Sequence, residues 1–459
     1  MAIDISEDSD ARSEMNDALS KMKDAGLERK DARFEVNDGS MSKLVKHYRR
    51  IFKIDEIVDD VVLHWYSGAL LLGFFITFNA WIAKKSTTLA GAEAGNNVCW
   101  PIFQNCRDYI WLSGLPEGYS QTSVFMAMFG VMLGCVYGMY RKKWDLVHFG
   151  ILLLFIVKFY FSALTNESGN YDYYHNAFCI IYLFFGHKKF FAQLTLVFFY
   201  FLSVATKIHP SWVLGQYFTA LKTGLPFVPY GAEIVATNFL MVMEMVGAWF
   251  LLSKNKILQR SAFTFFVIFH LYSGILVEYR YPATVLPPLL ILFGPFFKKP
   301  EIPPIDFRSI PGWSFMAGFL VLQMIPHMIP GDEKLTLEGN FYGLFMFEAN
   351  HQCYGKFTDG DGKKVSDFLS TAANERCDPY RHWFRAKHRF CKNPNSVYGF
   401  VMNHSINGDP FREIVNVPNI CTLTYRPFTH NEWIKDETEA PMVGRPRQNG
   451  YGFYSVVRR

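Results

Sequence analysis

A polytopic α-helical membrane bundle of about nine spans, followed by a small β-rich extracytoplasmic domain, is the fold class this sequence predicts. Three observations predict it. Half of the 459 residues are hydrophobic and only 19% are charged, and the apolar runs are concentrated between about residues 61 and 330. Short basic clusters flank alternate apolar runs. Six of the eight cysteines fall on the side of the bundle opposite those clusters.

A helical span needs roughly twenty apolar residues to cross about 30 Å of hydrocarbon. Segments of that kind occur at approximately 61–83, 121–140, 145–164, 172–187, 190–207, 232–253, 260–278, 282–297 and 312–330. The fourth and eighth are short, which leaves tilted, loop-sharing or re-entrant geometries open. Residues 1–44 carry many charges of both signs and no apolar signal-like region, and read as a charged cytoplasmic tail with little core of its own. The bundle is expected over 45–330 and the outer domain over 331–459.

Lys46 to Arg50, Arg141 to Lys143, His187 to Lys189, Lys254 to Arg260 and Lys298-Lys299 all fall on one side if every segment crosses. The positive-inside rule makes that side cytoplasmic, so the C-terminal domain is extracytoplasmic, in a periplasm, an exterior or an ER lumen. The dispersed basic clusters suit topology signals and not a nucleic-acid surface. Cys135 and Cys179 lie within spans, while Cys99, Cys106, Cys353, Cys377, Cys391 and Cys421 form an even set on the outer side. Such a set reads as disulfides of undetermined connectivity, with free or metal-binding thiols as the alternative. No Cys/His spacing suggests a structural zinc site, and no metal is expected.

In the outer domain, Cys353–Phe357 and Cys421–Arg426 alternate weakly and are expected as strands. Asp359-Gly360-Asp361-Gly362 predicts a hairpin turn, since the remaining ligands of a calcium loop are missing. Asn166-Glu167-Ser168 and Asn403-His404-Ser405 are formal glycosylation sequons.

Ionisable groups within apolar spans are costly and commonly functional. Lys207 closes the fifth segment, His175 opens the fourth, and Glu244 and His270 lie deeper in the sixth and seventh. Each also has a plain reading. Lys207 can snorkel to the interface, His175 can belong to an aromatic belt, and Glu244 can be protonated or paired with Lys158 or His270. In the functional reading, Lys207 and His175 meet at the outer level. A desolvated lysine serves there as a neutral base, a histidine carries protons or stabilises an anion, and an acid tunes the pair. The aromatic surroundings suit a flat hydrophobic co-substrate.

At these residues the chain resembles the vitamin K-dependent gamma-carboxylase family and its wider relatives, the HTTM membrane proteins. Ala205-Thr206-Lys207-Ile208-His209-Pro210-Ser211-Trp212 is similar to the family's lysine-to-tryptophan segment, and Asn170 to Asn176 to its asparagine/histidine segment. Met243-Glu244-Met245-Val246-Gly247 falls where relatives carry an acid within a span, and Phe269-His270 matches a Phe-His step. Gly339 to Phe347 with Asn350-His351-Gln352 resembles the entry into the first lumenal domain, and the likeness covers about residues 50–430.

The resemblance implies an enzyme that uses a reduced quinone such as vitamin K, with O2 and CO2 as co-substrates, to carboxylate glutamate in an exported peptide or protein. The carboxylation is coupled to quinol epoxidation. It implies Lys207 as the base and His175 as its assistant, with Glu244, His270, Trp212 and Asn176 supporting them or lining a quinone pocket. Animal carboxylases carry more outer sequence than the approximately 130 residues that follow the last span here. The likeness therefore implies quinol oxidation more directly than propeptide recognition. The alternative is a non-carboxylating HTTM protein that matures or exports a peptide. A transporter would call for internal repeats or a mid-span charge relay, and neither is visible. Membrane lipids are the other expected partner.

Overall fold

The computed structural model describes residues 43–83, 97–109, 119–164, 170–215, 227–229, 231–277, 280–295, 309–344, 349–370 and 377–444. The predicted tail, 1–44, lies almost entirely outside them, as does the sequon at Asn166. The chain separates into two compact units, Met1–Ile51 and Phe52–Arg459. The described part of the first begins a helix, Lys43–Phe52, with Arg49 and Arg50 in its last turn.

Among the described residues, the second unit holds nine principal helices before its sheet. They are α1 (Val61–Ala83), α2 (Tyr119–Tyr140), α3 (Trp144–Leu164), α4 (Asn170–Phe184), α5 (Lys188–Ala205), α6 (Glu233–Phe250), α7 (Lys256–Val277), α8 (Arg280–Phe293) and α9 (Ile310–Met328). Among the described residues, α1, α2, α3, α5 and α6 are long and apolar enough to cross a membrane, and α8 is a shorter apolar helix with Pro287 and Pro288 inside it. The apolar segments read from sequence thus become helices, with ends displaced by a few residues. α4, for example, ends at Phe184 where the sequence suggested 187.

α5 is the central helix. Of its membrane-length window 78% is buried, against 17% for α2, where Met126, Leu133 and Val136 are exposed. The exposed side of α2 is the apolar surface expected of a helix facing lipid. Close packing around α5 uses aromatic edges: Phe199 meets Tyr174 at 4.0 Å and Phe319 at 5.3 Å between ring centroids.

After α9 the chain builds an antiparallel sheet from β1 (His351–Asp359), β2 (Lys364–Ser370), β3 (Tyr398–Ile406), β4 (Phe411–Val417) and β5 (Met442–Gly444), in the order β2-β1-β3-β4-β5. The expected turn closes the β1–β2 hairpin. Asp359 Oδ1 accepts from the Asp361 and Lys363 amides at 3.1 and 2.9 Å, and Gly362 takes φ +79°. A helix, α10 (Pro379–Phe390), starts behind an Asp378 cap with proline at its first position, and buries Tyr380, Trp383 and Phe384. Phe357 of β1 stacks on Phe400 of β3 at 4.6 Å.

Cys421–Arg426 departs from expectation. Instead of a strand it holds a short 3-10 turn, Ile420–Thr422, because the Asn419 side chain accepts from the Cys421 amide and offers the backbone a local partner. The sequon at Asn403 lies in β3 with the asparagine only 6% exposed, which leaves no room for a glycan. Three cysteine pairs stand at disulfide distance, Cys99–Cys106, Cys353–Cys377 and Cys391–Cys421, while Cys135 and Cys179 are free and buried.

One end of the bundle carries the sheet. Tyr380 donates to Cys99 O, Gln104 to Tyr425 O, and both Tyr173 and Gln323 to Tyr342 O. At the other end, Glu56 accepts from the His187 and Lys188 amides, and Lys189 pairs with Asp60.

Candidate functional site

The turn after α5 decides where Lys207 points. The amides of Lys207 and Ile208 both bond back to Val204 O, and that of Trp212 bonds to His209 O, so the chain folds over before the short helix Pro210–Val213. The lysine is directed into the bundle, where its side chain is 0% exposed, and the snorkelling reading fails. Its Nζ donates to Glu244 Oε1 at 2.7 Å and Oε2 at 2.6 Å, and lies 5.6 Å from the ring centre of buried Trp212. Glu244 stands in a π-helical turn, Met243–Gly247, within α6. The wider turn alters which way its side chains face, and such turns are frequent at functional sites.

Around this pair lies a buried set of phenols. Tyr174 of α4, Tyr200 of α5 and Tyr281 of α8 are all within electrostatic reach of Glu244, and the Tyr174 and Tyr281 hydroxyls bond each other. The Ser203 hydroxyl also reaches Glu244. Tyr200 Oη and His270 Nε2 are 2.5 Å apart. His270 Nδ1 is buried with no hydrogen-bond partner among the described residues. Glu244 therefore pairs with Lys207, and neither Lys158 nor His270 is its direct partner.

His175 belongs to a second cluster. Its Nδ1 meets Lys158 Nζ of α3 at 2.8 Å, its Nε2 meets Leu70 O of α1 at 2.9 Å, and it is 3% exposed. Lys158 also pairs with Asp172 Oδ1 at 2.8 Å, and Thr77 donates to the same oxygen at 3.0 Å. The interface-belt reading of His175 fails on this burial. Among the described residues no hydrogen bond, ion pair or ring contact joins Lys207 to His175. Successive helical side chains diverge by about 100°, so Tyr174 faces the Lys207–Glu244 pair while His175 faces Lys158. Asn176 is half-buried, with its Oδ1 enclosed and without a partner among the described residues.

The three tyrosines and Asp172 are site residues that reading the sequence missed. Asp172 carried a signal. Lys158 lies near the end of α3 and Asp172 in the first turn of α4, so an antiparallel hairpin sets the two charges at one level. The tyrosines carried none, being three among 24. Among the described residues no three His, Cys, Asp or Glu side chains group as for a metal ion. No family model, no curated protein and no solved structure matches this chain.

Proposed function

We propose that this chain is an integral-membrane enzyme of the vitamin K-dependent gamma-carboxylase type, in which the Lys207–Glu244 pair is the proton acceptor. All nine helices cross the membrane in this reading. The basic clusters face the cytoplasm, and the disulfide-bearing sheet faces an exported peptide or protein. The observation that carries the reading is a lysine completely withdrawn from solvent and bound to one carboxylate at 2.6 and 2.7 Å.

Glu244 takes one proton from Lys207 across this short contact, and the lysine becomes a neutral amine with a free lone pair. The buried pair has zero net charge before and after, so the transfer leaves no isolated charge in a low-dielectric site. Lys207 then accepts the proton of a bound hydroxyl, and Trp212 closes one side of the amine. A reduced quinone supplies the oxidisable hydroxyl and, with O2, the strong base needed to remove a glutamate γ-proton before CO2 adds. The residues fit such a group. The orphaned His270 Nδ1 offers a polar anchor, and the Tyr200 and Phe266 rings, stacked at 4.0 Å, offer a flat apolar wall.

The test is purified protein in lipid nanodiscs, supplied with reduced vitamin K, bicarbonate, O2 and a glutamate peptide. Quinone epoxide and carboxyglutamate are expected from the wild type, and neither from Lys207→Ala at retained fold. Absence of both products from folded wild type rejects the reading. Epoxide without carboxyglutamate rejects carboxylation and leaves quinol oxidation as the activity.

A further inference from the structure

The groups that enclose His175 dictate where its proton sits. A carbonyl oxygen only accepts, so the 2.9 Å contact with Leu70 O requires a proton on Nε2. An ammonium only donates, so the 2.8 Å contact with Lys158 requires a lone pair on Nδ1. The Asp172 carboxylate lies 2.8 Å from the same Nζ and pairs with it. Both ring nitrogens are thus engaged by the protein.

The ring has no other place to go. A Cβ on Gly73 would lie 2.2 Å from His175 Cδ2 and 2.4 Å from Nε2, so the imidazole occupies space that only glycine leaves on α1. Phe74 meets the ring edge-on at 4.5 Å, and Cys179 Sγ stands 3.8 Å from each nitrogen. These contacts come from α1, α3 and α4, and Lys158 is the one cation among them.

We infer that Lys158, anchored by Asp172, is a positioning residue that holds His175 as the neutral Nε2–H tautomer in the slot left by Gly73. The consequence for chemistry rests on the function proposed above: proton transfer there runs through Lys207 and Glu244, and His175 carries none. The tautomer itself is independent of that function.

Solid-state NMR on full-length protein in lipid bilayers, with 15N-labelled histidine, reads the tautomer directly. The His175 signals are identified by their loss in His175→Gln. At pH 7 one protonated and one unprotonated ring nitrogen are expected, with Nε2 bearing the proton, unchanged between pH 5.5 and 8.5. Lys158→Arg keeps this signature. In Lys158→Met/Asp172→Asn, which removes both charges together, the Nδ1 signal moves as its lone pair loses the Lys158 donor, while Nε2 keeps its proton on Leu70 O. A wild-type imidazolium, an Nδ1–H tautomer, or an unchanged spectrum in the double variant overturns the assignment. Loss of epoxidation bears on the proposed function and not on this signature.

Discussion

Among the described residues the bundle contains two buried lysine–carboxylate pairs, and they differ in how completely the protein uses them. Lys158 divides its donors between Asp172 and His175, and Asp172 also receives Thr77. Every group in that set meets a protein partner in regular helix. Lys207 gives two bonds to one carboxylate, from a turn beyond a helix end to a π-helical turn. Beside it stand phenols and a histidine nitrogen without a partner among the described residues. A closed network specifies how helices pack, whereas an open valence beside a movable proton suits chemistry. The same two residue types thus serve different ends, and the irregular backbone marks the reactive one.

The largest expected effect breaks the closed pair. Lys158→Met leaves Asp172 charged inside the bundle with Thr77 alone and His175 Nδ1 without its donor. Stranding a buried charge in this way costs about 3–5 kcal/mol. Lys158→Met/Asp172→Asn restores most of it by removing both charges. Lys207→Met is expected to cost less, since Glu244 remains among Ser203 and the phenols and can take up a proton. Thermal unfolding of the three variants in identical nanodiscs checks the order. If Lys207→Met unfolds at the lower temperature, the division into a packing pair and a reactive pair is wrong.

Hydropathy made the helices legible, because a long apolar run is a local property of the chain and needs no knowledge of neighbours. The turn at Asp359–Gly362 was legible for a similarly local reason. Facing was not. That Lys207 points inward depends on the turn bonding back to Val204, and that His175 misses it depends on the helical rotation separating it from Tyr174. Lys158 was visible as a buried charge, but choosing Asp172 over Glu244 as its partner required the α3–α4 hairpin. The π-helical turn at Glu244 leaves no mark in residue types, since Met243 to Gly247 reads as ordinary apolar helix. Long-range packing therefore decides which suspected residues meet.

Outside the bundle, a buried histidine without a carboxylate sharpens the same contrast. His404 of β3 donates from Nδ1 to Leu335 O at 2.7 Å, so its Nε2 must accept from His351 Nδ1 of β1 at 3.0 Å. Burial, and then the neighbouring His351, push its imidazole down to about 3. Above the unfolded value near 6.5 both states are neutral there and His404 contributes no pH dependence. Below it the unfolded chain binds a proton that the folded chain refuses, so stability falls as pH drops from about 6.5 toward 3. At pH 5 the loss is about 2 kcal/mol. Glu338, raised by burial, acts with the opposite sign, and subtracting the behaviour of His404→Gln isolates the histidine. Hydrogen exchange of the β1 and β3 amides at pH 7 and pH 5, corrected for intrinsic rates, should show this loss in wild type and less in the variant. Equal pH dependence in both would mean that His404 takes up its proton at the same pH folded as unfolded, and that burial beside His351 does not lower its imidazole.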